Sequence, residues 1–257
     1  MLKINHYKII VVVFNIVKMK KTLFSILILL SLKTFSQTYE VEYSLEQTAK
    51  NINLITNIKA YLKGNGKYSI YEEDFERSRT NSGTDSEIIS LNRNPILYKE
   101  ILEKKIFFKD QIRFNFFDIL DSTSVFKWEI QKDTKTILNY KCQKAVCEFR
   151  SRKYEVYFTT ELTFSDGPWK FYGLPGLILE VYSNDNVATF HFIAEKIKIK
   201  NETENIKNPY INKELITFDD YVNIYRKKYD ESLYRVVNEN GETRPMSKGF
   251  REYFIHE

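Results

Sequence analysis

Histidine, cysteine and glycine are all scarce in this 257-residue chain, with three, two and eight copies. Of the three histidines, His6 lies in the N-terminal stretch and His256 is the penultimate residue, so only His191 falls inside a segment that reads as folded. A histidine-rich metal centre is thereby excluded, and neither a zincin helix nor a Cys-x-x-Cys pair is present. An isolated His191 in a strand reads as a half-buried structural residue. The cysteines, Cys142 and Cys147, are five apart, so on one continuous strand they point to opposite faces. Two buried thiols follow from that spacing, and a disulfide between them is the alternative, one that needs a bulge or turn. Serine chemistry lacks its Gly-x-Ser-x-Gly elbow, and no Gly-Lys-Ser/Thr phosphate loop occurs. No catalytic residue, metal ligand or cofactor motif is expected from these absences.

Long hydrophobic runs are confined to the first 36 residues. Met19-Lys20-Lys21 precedes an apolar core of about eleven residues ending at Leu32, and small residues stand at Thr34 and Ser36, the three parts of a secretory signal peptide. Cleavage is expected after Ser36, with Met1 to Lys18 as an upstream extension. The core is shorter than the roughly 20 residues a membrane span needs, and no cysteine follows it to carry a lipid. The expected product is periplasmic or secreted, not a lipoprotein, and has no integral span once the signal is removed. Export also accounts for the charge. The formal +5 includes six lysines of the leader, so residues 37–257 hold 39 − 6 = 33 basic against 34 acidic side chains. Without a basic excess, a nucleic-acid partner is not expected.

What the chain has in plenty is Tyr and Phe, 18 and 19 copies, and alternation. Tyr39, Val41, Tyr43 and Leu45 fall on one face of a strand, and Gly64-Asn65-Gly66 is a hairpin signal between two more. Glu72 to Asn94 reads as an exposed polar loop. Strands are expected over 96–101, 105–109, 111–120, 124–130, 136–149, 153–160, 177–182 and 187–200. The connections are too short for parallel crossovers, so pairing is antiparallel. Phe218, Tyr221, Val222, Tyr225, Tyr229 and Leu233 recur at helical spacing behind the capping box Thr217 to Asp220. The expected fold is mostly β: a single curved antiparallel sheet or half-barrel meander with one amphipathic helix near the C-terminus, α+β overall. Residues 37–257 form one such domain in this reading.

Three glycines and two prolines crowd into Gly167 to Gly176, which implies a shaped loop around Trp169, Phe171, Tyr172 and Leu174. Pro175 biases Leu174 toward an extended conformation. The expectation is a type II turn with Gly176 at positive φ, followed by a strand whose Leu177, Leu179 and Val181 face the core. Within the loop, Gly173 to Ile178 spells Gly-Leu-Pro-Gly-Leu-Ile. The segment resembles the GLPGLI family of Bacteroidetes secreted proteins, and the likeness extends upstream through Trp128 to Ile130, Ile137 to Ala145, Tyr154 to Glu161 and Gly167-Pro168. That resemblance implies an exported β-rich protein and names no activity.

The functional expectation is a non-enzymatic protein of the cell envelope. It would bind an apolar ligand or a partner chain through the curved sheet and a motif made of Gly167, Pro168, Trp169, Tyr172, Gly173, Leu174, Pro175 and Gly176. Two other readings stand beside it. One is a structural or accessory component of an outer-membrane assembly, in which the loop only packs the core. The other is a hydrolase using Glu161, Asp166 and Glu180, the carboxylates that bracket the loop.

Overall fold

The expected inward stripe of the first strand is the centre of the fold: Tyr39, Val41, Tyr43 and Leu45 are all buried. A computed structural model of the chain describes residues 37–50, 54–81, 95–233, 246, 248–249 and 251–255. The signal-peptide expectation falls on residues 1–36 and the middle of the polar run on 82–94, both outside the described residues. In chain order the strands are β1 (Thr38–Ala49), β2 (Leu54–Gly64), β3 (Tyr68–Asn81), β4 (Ile96–Glu100), β5 (Lys105–Ile112) and β6 (Asn115–Asp121). They continue with β7 (Glu129–Ile137), β8 (Tyr140–Phe149), β9 (Arg152–Thr159), β10 (Leu177–Asn184), β11 (Ala188–Lys200) and β12 (Leu215–Thr217), then helix α1 (Phe218–Leu233). Among the described residues no helix is long and apolar enough to cross a membrane.

All twelve strands join one sheet in the order β12-β6-β5-β4-β3-β2-β1-β11-β10-β9-β8-β7. The protein is thus mostly β, a single open sheet with one C-terminal helix. It is two meanders, β1 to β6 and β7 to β11, joined where β1 pairs with β11. Only the short β12 pairs parallel, against β6. Chain geometry shows that the sheet is strongly curved. Ten strand spacings separate β6 from β7, about 48 Å if flat, yet the link from Asp121 to Glu129 spans at most about 28 Å. Register shifts in β1·β11, β2·β3, β9·β10 and β7·β8 supply local bends.

Several turns differ from the sequence reading for one reason: residues other than glycine make them. Residues 111–120 were expected as one strand, but Arg113 takes φ 55° and the chain reverses there between β5 and β6. The expected strand 136–149 likewise reverses at Leu138-Asn139, with φ 48° and 67°. The turn expected after residue 149 is made by Arg150-Ser151, at 49° and 63°, which joins β8 to β9. Paired positive φ values match the twist of the flanking strands. The Gly64 to Gly66 hairpin is as expected, with Asn65 Oδ1 accepting from the amides of Lys67 and Tyr68. Of the strand expected over 124–130, residues 124–128 run without regular structure and 129–130 open β7. Glu72 to Asn81, expected as loop, continue β3.

Thr217 caps α1: its Oγ1 accepts from Asp220 N at 3.1 Å and donates to Asp220 Oδ2 at 2.6 Å. Phe218, Tyr221, Val222 and Tyr225 are the buried face, whereas Leu233 is exposed. A smaller cluster of Tyr98, Phe107, Ile206 and Tyr210 packs the segment after β11 onto the opposite face of β4 and β5.

Candidate functional site

The Gly/Pro loop is seated by a buried ion pair. Lys99 on β4 reaches Asp166 Oδ1 at 2.5 Å and donates to Gly167 O at 2.6 Å, with both side chains almost fully buried. Tyr39 donates to Asp166 Oδ2 at 2.6 Å, and Tyr43 to Ile178 O at 2.6 Å. Burial holds the Lys99 ammonium below its usual range, against the pull of Asp166, and pushes both phenols well up.

The glycine roles differ from the expected turn. Gly173, and not Gly176, carries the positive φ, at 97°. Gly176 is required by space: an added Cβ would stand 2.0 Å from Thr159 O. Gly167 lies against Ile178. Trp169 itself takes φ 49°, a costly region for a bulky residue. That conformation is held by rings of Phe149, Tyr154 and Phe171 around its indole. Tyr172 donates to Ser124 O, and Trp128 Nε1 donates to Tyr172 O at 2.9 Å. Leu174 is buried. The expected split of the following strand fails at a bulge: Ile178 pairs with Phe158, but Glu180 already pairs with Tyr157. Ile178 therefore shares the inner face with Val181, and Leu177, Ile178, Leu179 and Val181 are all buried.

The other sequence candidates are dispersed. Asp166 is in the core, Glu180 is on the outer face with Lys135 and His191 (Nε2 to Oε1, 2.9 Å), and Glu161 accepts from Lys141 N at 2.8 Å. No carboxylate pair forms at the loop. Cys142 and Cys147 are separate buried thiols on opposite faces of β8. Burial pushes them up to about 11 and about 12, which leaves them protonated and unreactive. Among the described residues no three metal-ligating side chains converge.

A site that sequence reasoning missed lies between the inner face of the sheet and α1. It is a cleft of 380 Å³, floored by Leu97 and Phe108, flanked by Trp169 and Lys170, and roofed by Tyr221, Tyr225, Gly249, Arg251, Glu252 and Phe254. The loop contributes to it only through Trp169 and Lys170. Lys170 is buried, donates to Glu252 Oε1 at 2.5 Å and lies 3.4 Å from Asp121 Oδ2. Its ammonium stands over the ring of Phe108 at 4.1 Å. Arg150 ties Asp121 (2.9 Å) to Glu252 and packs over Phe218. Burial alone would raise the Asp121 carboxyl, but Lys170, Arg150 and bonds from Ser124 and Thr123 outweigh it and hold it at about 2. Arg251 pairs with Glu73, which also accepts from Tyr71 at 2.8 Å. Asp110 differs: it accepts from Gln111 N at 2.7 Å, and burial raises its carboxyl against the opposing effects of that bond, the nearby Tyr221 phenol and the Lys170 charge.

The sequence of residues 65–220 matches the family described as N-glycanase peptide, N-terminal domain. The chain belongs to that family. Among solved structures it is similar to PNGF-II in its C2 space group, at 17% identity over 74% of this chain, with a TM-score of 0.49. The chain spans about a third of PNGF-II, 32% of that chain. An uncharacterized conserved protein from Thermus thermophilus aligns at 10% identity over 71% of this chain and 91% of its own, with a TM-score of 0.35. A putative outer membrane lipoprotein-sorting protein domain from Vibrio parahaemolyticus aligns at 6% identity over 70% and 91%, with a TM-score of 0.24. At these scores the likenesses carry no argument about function. No curated protein sequence matches the chain.

Proposed function

We propose that the chain is a non-enzymatic, exported binding module that holds a small ligand or a segment of a partner chain in the cleft under α1. The observation that carries this is the cleft itself: 380 Å³ lined by aromatic rings and by charged side chains together. Pockets of this size and mixed lining suit a ligand that is part apolar and part polar. An entirely apolar ligand, expected from the sequence, would strand those charges. The non-enzymatic reading is supported by the ion pairs that engage Glu73, Asp121 and Glu252. The signal-like leader and the Gly-Leu-Pro-Gly-Leu-Ile segment support export to the periplasm or beyond, and kinship with the GLPGLI proteins.

The family's description names an N-glycanase and a peptide, so the first ligands to offer are an N-glycopeptide, its glycan-free peptide and the free glycan. Calorimetric titration of residues 37–257 is expected to show saturable binding of one of these. Tyr221→Ala, which removes part of the roof, is expected to weaken it. Binding unchanged in Tyr221→Ala would place the ligand elsewhere and overturn the cleft as the site.

A further inference from the structure

The charges of the cleft are unevenly paired. Its lining holds Glu73, Asp110 and Glu252 with Lys170 and Arg251, and Asp121 and Arg150 join their ion pairs from just outside it. The other basic residue of the lining, Lys109, pairs with Asp118 at 3.7 Å. Three of the acids have a cation partner, and so do two acids buried or half-buried nearby, Asp166 with Lys99 and Asp185 with Arg152. Asp110 has none. It lies on the inner face of β5, opposite Phe117, partly open to the cleft. It is close enough to Tyr221 and Tyr225 that its charge raises both phenols, the latter to about 12 after burial, the larger cause. Phe108 and Phe254 stand in the same lining.

A half-buried carboxylate with no ion-pair contact, and with only the shared charge of Lys170 nearby, is costly unless a cation arrives or a proton is taken up. Aromatic walls beside such a carboxylate favour an organic cation, because ring faces attract ammonium groups and also cover the carbon stem. A metal ion would need more ligands than the described residues bring together. We propose that the cleft takes a primary ammonium on an apolar stem, of the kind a lysine side chain presents, with Asp110 as its counter-ion. This rests on the cleft being a binding site and specifies the class of group it selects.

The test compares benzylamine with benzyl alcohol, which has the same shape and no charge, by calorimetry on residues 37–257 and on Asp110→Asn. The amine is expected to bind at least about tenfold more tightly than the alcohol, as a charge-assisted bond to a partly desolvated carboxylate implies. The preference is expected to vanish in Asp110→Asn. Equal binding of amine and alcohol overturns the cation assignment and leaves the cleft as a binding site. An amine preference that survives in Asp110→Asn overturns Asp110 as counter-ion. Should the variant not fold, the wild-type chain labelled at aspartate carboxyl carbons serves instead: benzylamine must shift one buried aspartate signal and benzyl alcohol must not. No shift overturns the inference.

Discussion

Removal of Lys99 tests the seating of the Gly/Pro loop. In Lys99→Met the stem is replaced at similar volume while the ammonium disappears, leaving Asp166 fully buried with only the Tyr39 phenol and no cation. Gly167 O loses its 2.6 Å donor as well. Breaking one side of a buried ion pair costs about 3–5 kcal/mol, because the remaining charge is uncompensated. For a domain of this size that corresponds to a fall of about 6–20 °C in Tm. Against a total stability of about 5–15 kcal/mol, the variant is expected to be folded but marginal. The double variant Lys99→Met/Asp166→Leu removes both charges and is expected to be more stable than Lys99→Met, a sign reversal that simple loss of packing cannot give. Urea unfolding of the three proteins measures this, with an unchanged m value as the check that the folded states are comparable. If Lys99→Met lost less than about 1 kcal/mol, or the double variant were the least stable of the set, the ion pair would not be what seats the loop.

Gly176→Ala is expected to cost more than Gly173→Ala in the same unfolding assay. The first drives a Cβ to 2.0 Å from a backbone oxygen, whereas the second meets the Trp128 indole at an ordinary contact distance of 3.6 Å and bears only a strained φ, worth about 1 kcal/mol. Trp169→Ala is expected to lose about 3–5 kcal/mol, since its ring is buried among Phe149, Tyr154 and Phe171; a loss under about 1 kcal/mol would refute that packing role. Asp121 has a folded-state pKa of about 2, below the unfolded value, so its contribution is present above about pH 4 and is lost as pH falls toward 2. It amounts to about 2 kcal/mol, and Asp121→Asn is expected to flatten the acid limb of a stability-versus-pH curve; an unchanged limb would contradict the assignment.

The sheet was legible because its signal is local. Period-two burial in β1 and the 3.6-residue spacing of Phe218, Tyr221, Val222 and Tyr225 each fix a face without reference to the rest of the chain. The capping box was legible for the same reason. Turns were legible where glycine or a short polar break between two alternating runs marked them, as at Gly64 to Gly66, Arg150-Ser151 and Asp185. Arg113 and Leu138-Asn139 were missed: they adopt positive φ because the paired strands on either side require a tight reversal, and nothing in their side chains announces it. The bulge at β10 is a similar case: a shift of one register against β9 turned Ile178 inward, and period-two reading of the strand alone has no term for its partner.

The cleft was illegible for a stronger reason. The charged groups that shape it come from β3, β5, β6, the β8 to β9 turn, the Gly/Pro loop and the segment after α1. They meet only because the sheet curves enough to bring β6 beside that turn, as the 2.9 Å contact of Arg150 with Asp121 shows. Read singly, Glu73, Asp110 and Arg251 are three ordinary surface charges among many. Their meaning is collective: paired, Glu73 and Arg251 are structure, and what remains unpaired, Asp110, is the group left to meet something from outside. The motif that dominates the sequence does the complementary work. Its glycines and aromatics let the loop lie flat against Thr159 and Ile178, and that packing sets Trp169 and Lys170 along one side of the cleft.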